Sequence, residues 1–509
     1  MKIESIRKPG RRLVAAAVAA FGVALAPEAR AAEEVVTLAG VQTSQCEIVR
    51  KTDTRVRLNG VDFRDCQLKL VGDVTFTLEL VGGTTNVFTM TGEGQPDDWK
   101  AKECIKATKK SNIVFEGEGR LELLGKKRVT DGTDKKGRRK RSGVLVCNDL
   151  TVRGGDIEVT FDNDKNDTSC ILLKGGYLQT GGRVKLDLHK KNCTNELHGV
   201  TFGNAGTTFA LEGGEFIAEI AGTKSRAIDL KKTGMAYFRG GRVRAKFEGP
   251  EGRFVNGGAL IRFEGGSYSF TTNVTGKMTA GYYPKKLKAV RADEAVEIAG
   301  GEFRADLPLE GSEVFTNDGQ DGTDITVSGG WLDLRAGDDC ISANRNIVVS
   351  GGRIRGVGGD DVLDANGSLT IEGGEILAFA TAPGTHALDV NSGSRGGARK
   401  TLTVSGGVVV GTDGLDAIPI GTRSREVGAA DFRQATYYGA GLATADWSGR
   451  RLSVGGVTNG VPFAVDVQLP EFPAGRTFNL IVSAPGRAAT APEAIRFDGN
   501  KNKQGTADR

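Results

Sequence analysis

The stretches ITVSGGWLDL, at residues 325–334, and IVVSGGRIR, at residues 347–355, are two copies of one sequence frame. In both copies apolar residues alternate with polar ones on either side of a Gly-Gly pair, as in strands that bury one face and bend at glycine. Gly-Gly pairs recur from Gly154 to Gly407, at intervals of 22 residues where they are closest. A short repeating unit that cannot bury its own apolar face is typical of a stacked solenoid.

The frame predicts an all-β fold, a right-handed parallel β-helix whose coils stack at about 4.8 Å. The 509-residue chain is longer than one compact core, and its 74 glycines suit corners that recur many times. Aromatic residues make up only 6% of the chain, so we expect stacked aliphatic side chains to form the core. An N-terminal cap with the first irregular coils is predicted at residues 32–94, and the β-helix at residues 95–425 with a basic loop insertion at 126–141. A small C-terminal β cap is predicted at residues 426–499 and a disordered tail at residues 500–509.

The N-terminus has the features of a signal peptide. Five basic residues lie among the first 12, an apolar run follows at residues 13–26, and Ala29-Arg30-Ala31 resembles a small-residue cleavage site. We therefore predict a signal peptide at residues 1–31. No later stretch has the roughly 20 apolar residues of a transmembrane segment. The protein is expected to be exported and to act in the extracellular space, at the cell surface or in the periplasm.

The chain has seven cysteines, an odd number that fits no known disulfide framework. Cys46 and Cys66 are the pair we expect to form a local bridge. The apolar surroundings of four others predict small buried side chains rather than reactive thiols. These four are Cys104, Cys147, Cys170 and Cys340.

An acidic register appears when the coils are aligned on the short apolar run that follows each polar corner. Residues 339–343, 361–365 and 386–391 share this register, and matching positions of stacked coils lie about 5 Å apart. Carboxylates so close repel one another unless a cation intervenes, and such oxygen ligands favour Ca²⁺. The alternative is that these aspartates cap backbone amides at turns. The predicted calcium ligands are Asp338, Asp339, Asp360, Asp361, Asp364, Asp413 and Asp416.

The middle coils place basic residues in the same register. A cationic strip beside bound Ca²⁺ suits an acidic polysaccharide, because both can meet carboxylates. The alternative is a solvated face of mixed charge. With a formal net charge of only +5 and no nucleic-acid-reading motif, the chain is not expected to bind nucleic acid. Polysaccharide contacts are assigned to Arg226, Lys288, Arg291, His386 and Asp389.

The order of several short motifs resembles a known family. VRLNGV at residues 56–61, VGGTTN at 81–86 and the strand pattern at 113–124 precede the Gly-Gly coils with acidic corners. This order is similar to that of the bacterial β-helical carbohydrate-binding-domain proteins, which include extracellular polygalacturonic-acid and cellulose binders and which resemble pectate lyases. The resemblance spans residues 56–418.

The resemblance implies a right-handed parallel β-helix that binds polysaccharide and holds calcium between aspartates of neighbouring coils. The calcium role it implies falls on the seven aspartates named above. The chain departs from the family in its middle coils, where His198, Arg226 or Lys288 replaces the acidic corner. The resemblance therefore gives no support for calcium sites before Glu310.

Three functions are compatible with these patterns. The leading interpretation is a secreted, calcium-binding and non-catalytic protein that binds an acidic or plant cell-wall polysaccharide such as polygalacturonate. A second is a calcium-dependent lyase of the pectate type, with Lys288 or Arg291 as the base that removes a proton. A third is a structural or adhesive surface solenoid without a specific sugar. The patterns leave the oligomeric state open.

Overall fold

A computed structural model of the chain gives the fold for most of residues 35–412 and for several strands that follow. The described residues are 35–92, 103–108, 110–125, 142–161, 168–188, 197–221, 224–274, 287–317, 323–382, 385–390, 402–404, 408–412, 431–432, 436–443, 451–458, 461–468, 477–483 and 494–497. The predicted signal peptide, the basic insertion at 126–141 and the predicted tail at 500–509 lie outside these residues.

The described chain is an all-β parallel solenoid, as the Gly-Gly frame predicts. One coil consists of Ile325–Val327, Trp331–Gly337 and Ile341–Ala343, and the matching strands of the next coil pair with it in parallel. Each complete coil thus adds one strand to each of three sheets, which we call sheets 1, 2 and 3 in chain order. The parallel β-helix is confirmed.

The strands of each sheet follow one another in sequence order. Sheet 1 contains Thr75–Leu80, Asn112–Gly117, Leu150–Val152, Tyr177–Gln179, Thr208–Leu211, Met235–Phe238, Leu260–Phe263, Ala295–Ile298, Ile325–Val327, Ile347–Val349, Leu369–Ile371, Leu402–Val404 and Asp431–Phe432. Sheet 2 contains Thr85–Met90, Arg120–Gly125, Asp156–Phe161, Arg183–Leu188, Glu215–Ile220, Arg242–Phe247, Ser267–Thr272, Glu302–Glu310, Trp331–Gly337, Arg353–Gly358, Glu375–Ala380 and Val408–Thr412. Sheet 3 contains Cys46–Val49, Leu68–Val71, Ile105–Ala107, Ser142–Cys147, Thr168–Leu173, His198–Phe202, Arg226–Asp229, Arg253–Asn256, Lys288–Arg291, Glu313–Asn317, Ile341–Ala343, Leu363–Ala365 and Leu388–Val390.

The two ends of the solenoid differ in their strands. At the N-terminal end Val35–Gln42 and Thr54–Arg64 are long strands, and the second of these pairs with both sheet 1 and sheet 2. At the C-terminal end Thr477–Ser483 pairs antiparallel with the last strand of sheet 2. It also pairs with Thr436–Ala443, while a separate antiparallel sheet contains Arg451–Thr458, Val461–Gln468 and Ala494–Phe497.

The Gly-Gly pairs form the corner between sheets 1 and 2, and their geometry explains why glycine recurs there. The second glycine of a pair has a left-handed backbone, as at Gly352 with φ of 84°. A Cβ atom at Gly352 would lie 2.8 Å from the carbonyl oxygen of Gly329 in the preceding coil. Glycine is therefore required both for the backbone angle and for the close stacking of coils.

The core combines aliphatic and aromatic side chains. Strands such as Asp156–Phe161 bury every second residue, which matches the alternation in the sequence. Our expectation of a purely aliphatic core is wrong in the middle coils, where aromatic rings stack along the solenoid axis. The ring centroids of Tyr177 and Phe209 lie 4.6 Å apart, and those of Phe238 and Phe263 lie 4.7 Å apart. Phe63 and Phe88 stack in the same way in the N-terminal coils, with ring centroids 4.5 Å apart.

The cysteines are free thiols wherever the structure describes them. The predicted bridge between Cys46 and Cys66 is not formed, and the Cys66 thiol instead donates to the carbonyl oxygen of Gln42 at 3.2 Å. The prediction of small buried side chains is confirmed for Cys104, Cys147, Cys170 and Cys340. The seventh cysteine, Cys193, lies outside the described residues.

Chain insertions concentrate at one corner. The connection from sheet 2 to sheet 3 varies in length: the shortest is residues 311–312 and the longest is residues 126–141. The connection from sheet 1 to sheet 2 is short in every coil that the structure describes. Sheet 3 therefore begins beside the most variable part of every coil. In the part of the chain that the structure describes, no helix is long and apolar enough to cross a membrane.

Candidate metal centre on the third sheet

Two columns of polar side chains run along sheet 3, and the stacking register defines both. The corner column lies at the start of each strand, and the strand column lies three residues later. The corner column contains His198, Arg226, Arg253, Lys288, Glu313, Asp339, Asp361 and His386. The strand column contains Thr201, Asp229, Asn256, Arg291, Thr316, Ser342, Asp364 and Asp389.

The two columns contact each other within a coil. Arg226 and Asp229 form an ion pair at 3.2 Å, and His386 and Asp389 approach to 3.8 Å. A spacing of three residues therefore brings the corner side chain over the strand side chain of the same coil. Because adjacent coils stack about 4.8 Å apart, every polar group in the columns also faces one coil above and one below.

In the middle coils the buried carboxylate of Asp229 is compensated by its neighbours in the two columns. Asp229 is 5% exposed; His198 Nδ1 lies 3.3 Å from one of its oxygens, and Asn256 donates to the other at 2.7 Å. Burial by itself raises the pKa of Asp229, but the hydrogen bond and charge of His198, with Arg226, hold it below its usual range. Arg253 donates to Asn256 in turn. These five side chains form one network of hydrogen bonds and ion pairs, which we call the closed network.

The sign of the corner column changes between two adjacent coils. Lys288 is the last basic residue and Glu313 the first acidic one, and they are register partners. The Lys288 Nζ atom lies 2.9 Å from Glu313 Oε2, with side chains only 9% and 5% exposed. An ion pair so deeply buried requires close geometry, since each charge has lost its water. Beyond this pair the corner column remains acidic until His386.

Three groups of carboxylates, each compact enough to hold one cation, follow the ion pair. In each group one ligand oxygen per residue lies within 4.8 Å of the others. Asp339 belongs to the first and second groups, and Asp361 belongs to the second and third. The three groups therefore form one continuous row. The groups are Glu313 with Asp338 and Asp339, Asp339 with Asp360 and Asp361, and Asp361 with Asp364 and Asp389.

The backbone of the following coil orients the corner aspartates. The N–H of Asp361 donates to Asp339 Oδ1 at 3.1 Å, and the N–H of His386 donates to Asp361 Oδ1 at 2.9 Å. The capping of backbone amides that we named as the alternative is thus present. It uses one oxygen of each carboxylate. Capping and cation binding are compatible, because a carboxylate has two oxygens and several lone pairs.

The acidic row is electrostatically costly without a cation. Burial, with the charges of Asp338, Asp364 and other neighbours, raises the pKa of Asp339 to about 9. Burial and the nearby carboxylates raise the pKa of Asp361 to about 8 and that of Asp364 to about 6. Burial and like charges both disfavour ionisation, so Asp339 and Asp361 retain protons near neutral pH unless a cation compensates them. Solvent can reach the row at two positions, because Asp360 is exposed and Asp338 is half-buried.

The structure brings together five of the seven aspartates predicted as ligands. Asp338, Asp339, Asp360, Asp361 and Asp364 all belong to the row, whereas Asp413 and Asp416 lie outside the described residues. Asp389, assigned to the polysaccharide, instead belongs to the third carboxylate group. Sequence reasoning missed Glu313. Its register with Lys288 is the signal that identifies it, but its coil lacks the doubled aspartate that favours calcium in the next two coils.

The residues assigned to polysaccharide contacts lie at the two ends of the acidic row. His386 is at the far end, partly exposed beside Asp389. Lys288 is at the near end but buried against Glu313, and Arg291 of the same strand pairs with Asp293. Arg226 lies two coils further away in the closed network.

Comparisons of the chain with models of protein families, with curated proteins and with solved structures find no match. The site must therefore be interpreted from its own chemistry. That chemistry is a row of seven carboxylates across four coils, bounded in the corner column by a buried lysine and a histidine.

Proposed function

We propose that the protein is an exported, calcium-dependent binder of an acidic polysaccharide of the polygalacturonate type, without catalytic activity of its own. The observation that carries the proposal is the row of carboxylates from Glu313 to Asp389 on sheet 3. The family resemblance of the sequence points the same way. The proposal has two separable parts, a cation and a sugar.

The donor set fits a hard divalent cation. Every ligand atom in the three groups is a carboxylate oxygen, which suits Ca²⁺ better than zinc or copper, whose protein sites usually include nitrogen or sulfur ligands. The negative charges of neighbouring carboxylates help to keep Asp339 and Asp361 protonated, and bound Ca²⁺ would compensate those charges. Mg²⁺ is a weaker candidate because it demands near-ideal octahedral geometry and keeps most of its own water.

The row also leaves room for a ligand from outside the protein. Calcium takes about six to eight oxygen ligands, whereas each group offers three carboxylates. The remaining positions are available to water or to the carboxylate of a uronic acid. Asp360, the exposed member of the row, marks the side from which a polymer would approach. Partly exposed Arg291 and His386 lie on sheet 3 near the two ends of the row.

The contacts of the basic residues favour binding over lysis. A lyase base must present a free lone pair to the substrate. Lys288 is buried and ion-paired with Glu313, and the guanidinium of Arg291 donates to Asp293. Neither arrangement presents a base to a polymer on the surface, so we propose a binding protein rather than a lyase.

Calorimetry and pull-down experiments test the two parts separately. Protein stripped with chelator is titrated first with CaCl₂ and then, in the presence and absence of Ca²⁺, mixed with insoluble polygalacturonate. We expect heat on adding Ca²⁺, co-sedimentation only when Ca²⁺ is present, and no rise in the absorbance of unsaturated sugar product.

Each other outcome rejects one part of the proposal. No heat and no stabilisation by Ca²⁺ would reject the metal site. Calcium binding without co-sedimentation would reject the polysaccharide and favour a structural solenoid, whereas unsaturated product would show a lyase. An Asp306→Asn variant is the matched control, since that aspartate is an exposed acid on sheet 2, away from the row.

A further inference from the structure

The first coil of the solenoid has a free edge. Val35–Gln42 pairs in parallel with Thr54–Arg64, and Cys46–Val49 pairs with Leu68–Val71. No other described strand pairs with either of them. The other end differs, because Thr477–Ser483 pairs with the last strand of sheet 2. Among the described residues, the N-terminal edge is therefore left open by the chain itself.

Apolar exposure concentrates at the same edge. Val35, Val41 and Val49 are 46%, 58% and 56% exposed, and among the described residues only Trp331 is another large apolar side chain so exposed. All three valines belong to the first coil. The inward side chains of that coil are also incompletely covered, since Val36 and Leu38 are only partly buried. Their register partners in the second coil, Val56 and Leu58, are fully buried.

The edge lacks most features that normally prevent strand pairing. Natural proteins protect free edges with charged residues, proline, short strands or a covering element. The strand Val35–Gln42 has the sequence VVTLAGVQ, eight residues without a charge or a proline. An uncharged strand of this length with open backbone groups is a template for another strand.

We propose that this edge is the interface of a head-to-head dimer, in which the first coils of two copies pair and continue the sheets across a two-fold axis. A two-fold contact brings the same surface of both copies together, so the uncharged strand Val35–Gln42 can pair with its own copy. The free edge then disappears, and the exposed valines of both copies become covered.

The chain upstream is too short to cover the edge once the predicted signal peptide is removed. Cleavage after Ala31 leaves residues 32–34 before the strand. Three residues reach only about 10 Å, whereas an eight-residue strand spans about 26 Å. Two of the three are Glu33 and Glu34, whose charges are unsuited to an apolar surface. A second copy is therefore the occupant to which we commit. This inference does not depend on calcium or polysaccharide binding.

Sedimentation velocity on protein purified after export, with its N-terminus read by mass spectrometry, tests the proposal. We expect a species of twice the chain mass to dominate as the concentration rises from about 1 to about 100 μM, the range expected of a small interface. The double variant Val35→Lys, Val41→Lys places like charges at the interface and is expected to raise the dimer dissociation constant at least tenfold. A wild-type protein that stays monomeric throughout overturns the proposal.

A matched variant separates the edge from exposure in general. Trp331 is as exposed as Val35, but its strand is paired on both sides in sheet 2. Trp331→Lys is expected to leave dimerisation unchanged. A dimer that survives the double valine variant, or one that Trp331→Lys weakens equally, shows a different interface and overturns the proposal. Thermal unfolding of each variant verifies that the solenoid remains folded.

Discussion

The ammonium of Lys288 lies 2.9 Å from the carboxylate of Glu313 at the one point where the corner column of sheet 3 changes sign. On one side of this pair the buried polar groups compensate one another through hydrogen bonds. On the other side carboxylates accumulate without enough cations. Lys288 therefore supplies, from within the chain, the positive charge that a metal ion would supply to the following coils.

Lys288→Met tests this role. Removing one partner of a buried ion pair leaves a desolvated charge, so we expect the metal-free protein to lose about 3 kcal/mol of unfolding free energy. Urea denaturation measures it. Lys110→Met is the control, because the Lys110–Asp73 pair is exposed and should contribute nothing measurable. Added Ca²⁺ should restore more stability to Lys288→Met than to the wild type. Equal losses in the two variants would contradict the role of Lys288.

Asp361 should matter most for calcium, because it belongs to two carboxylate groups. Asp361→Asn is expected to weaken calcium binding at least about tenfold and to reduce the number of ions bound. In the metal-free protein the same change should not destabilise, since it removes one member of a repelling set. Calorimetry with CaCl₂ measures the affinity, and urea denaturation measures the stability. An unchanged affinity, matching that of Asp306→Asn, would show that the row is not the calcium site.

The sequence predicts the fold and most of the row because equivalent positions of successive coils can be aligned in the sequence itself. The Gly-Gly pairs mark a corner where glycine is required, because a Cβ at Gly352 would collide with Gly329. Coils aligned on the short apolar run that follows each polar corner place Asp339, Asp361 and Asp364 together without structural information. Glu313 is missed because the preceding connection shrinks to residues 311–312 and the doubled aspartate is absent.

Burial and pairing are harder to derive from the chain. Lys288 is expected from sequence to be a surface contact, yet its neighbour one coil further on is Glu313 and the two bury each other. Such pairing depends on which coils are adjacent and on how the inserted corners fold over them. The Cys46–Cys66 bridge is wrong for a related reason, since proximity in sequence does not fix the directions of the two side chains.

The stability of the metal-free protein should fall as pH rises. In the folded state the pKa values of Asp339, Asp361 and Asp364 are raised to about 9, 8 and 6, whereas an unfolded aspartate titrates near about 4. Between about pH 4 and 9 the folded state therefore binds more protons, so this contribution is complete below pH 4 and lost by about pH 9.

Urea denaturation with chelator at about pH 5, 7 and 9 measures this slope. Asp361→Asn should flatten it, because the variant has one fewer raised carboxyl. Calcium should flatten it as well, and its binding near pH 7 should release protons, which calorimetry in buffers of different ionisation enthalpy detects. A stability that rises with pH in the chelated wild type would contradict the electrostatic description of the row.

Alanine substitutions at Gly60 and Gly352 distinguish the cost of a left-handed backbone from the cost of close contact between coils. Gly60 and Gly352 both have left-handed backbones, with φ of 68° and 84°, but a Cβ at Gly60 would meet no atom within 4 Å. Gly60→Ala should therefore cost only the conformational penalty, about 1 kcal/mol. Gly352→Ala adds a collision with the backbone of Gly329 in the neighbouring coil and should cost at least about twice as much. Urea denaturation of both variants measures the difference. Equal losses would mean that coil stacking tolerates a methyl group and that the recurrence of Gly-Gly reflects backbone angle alone.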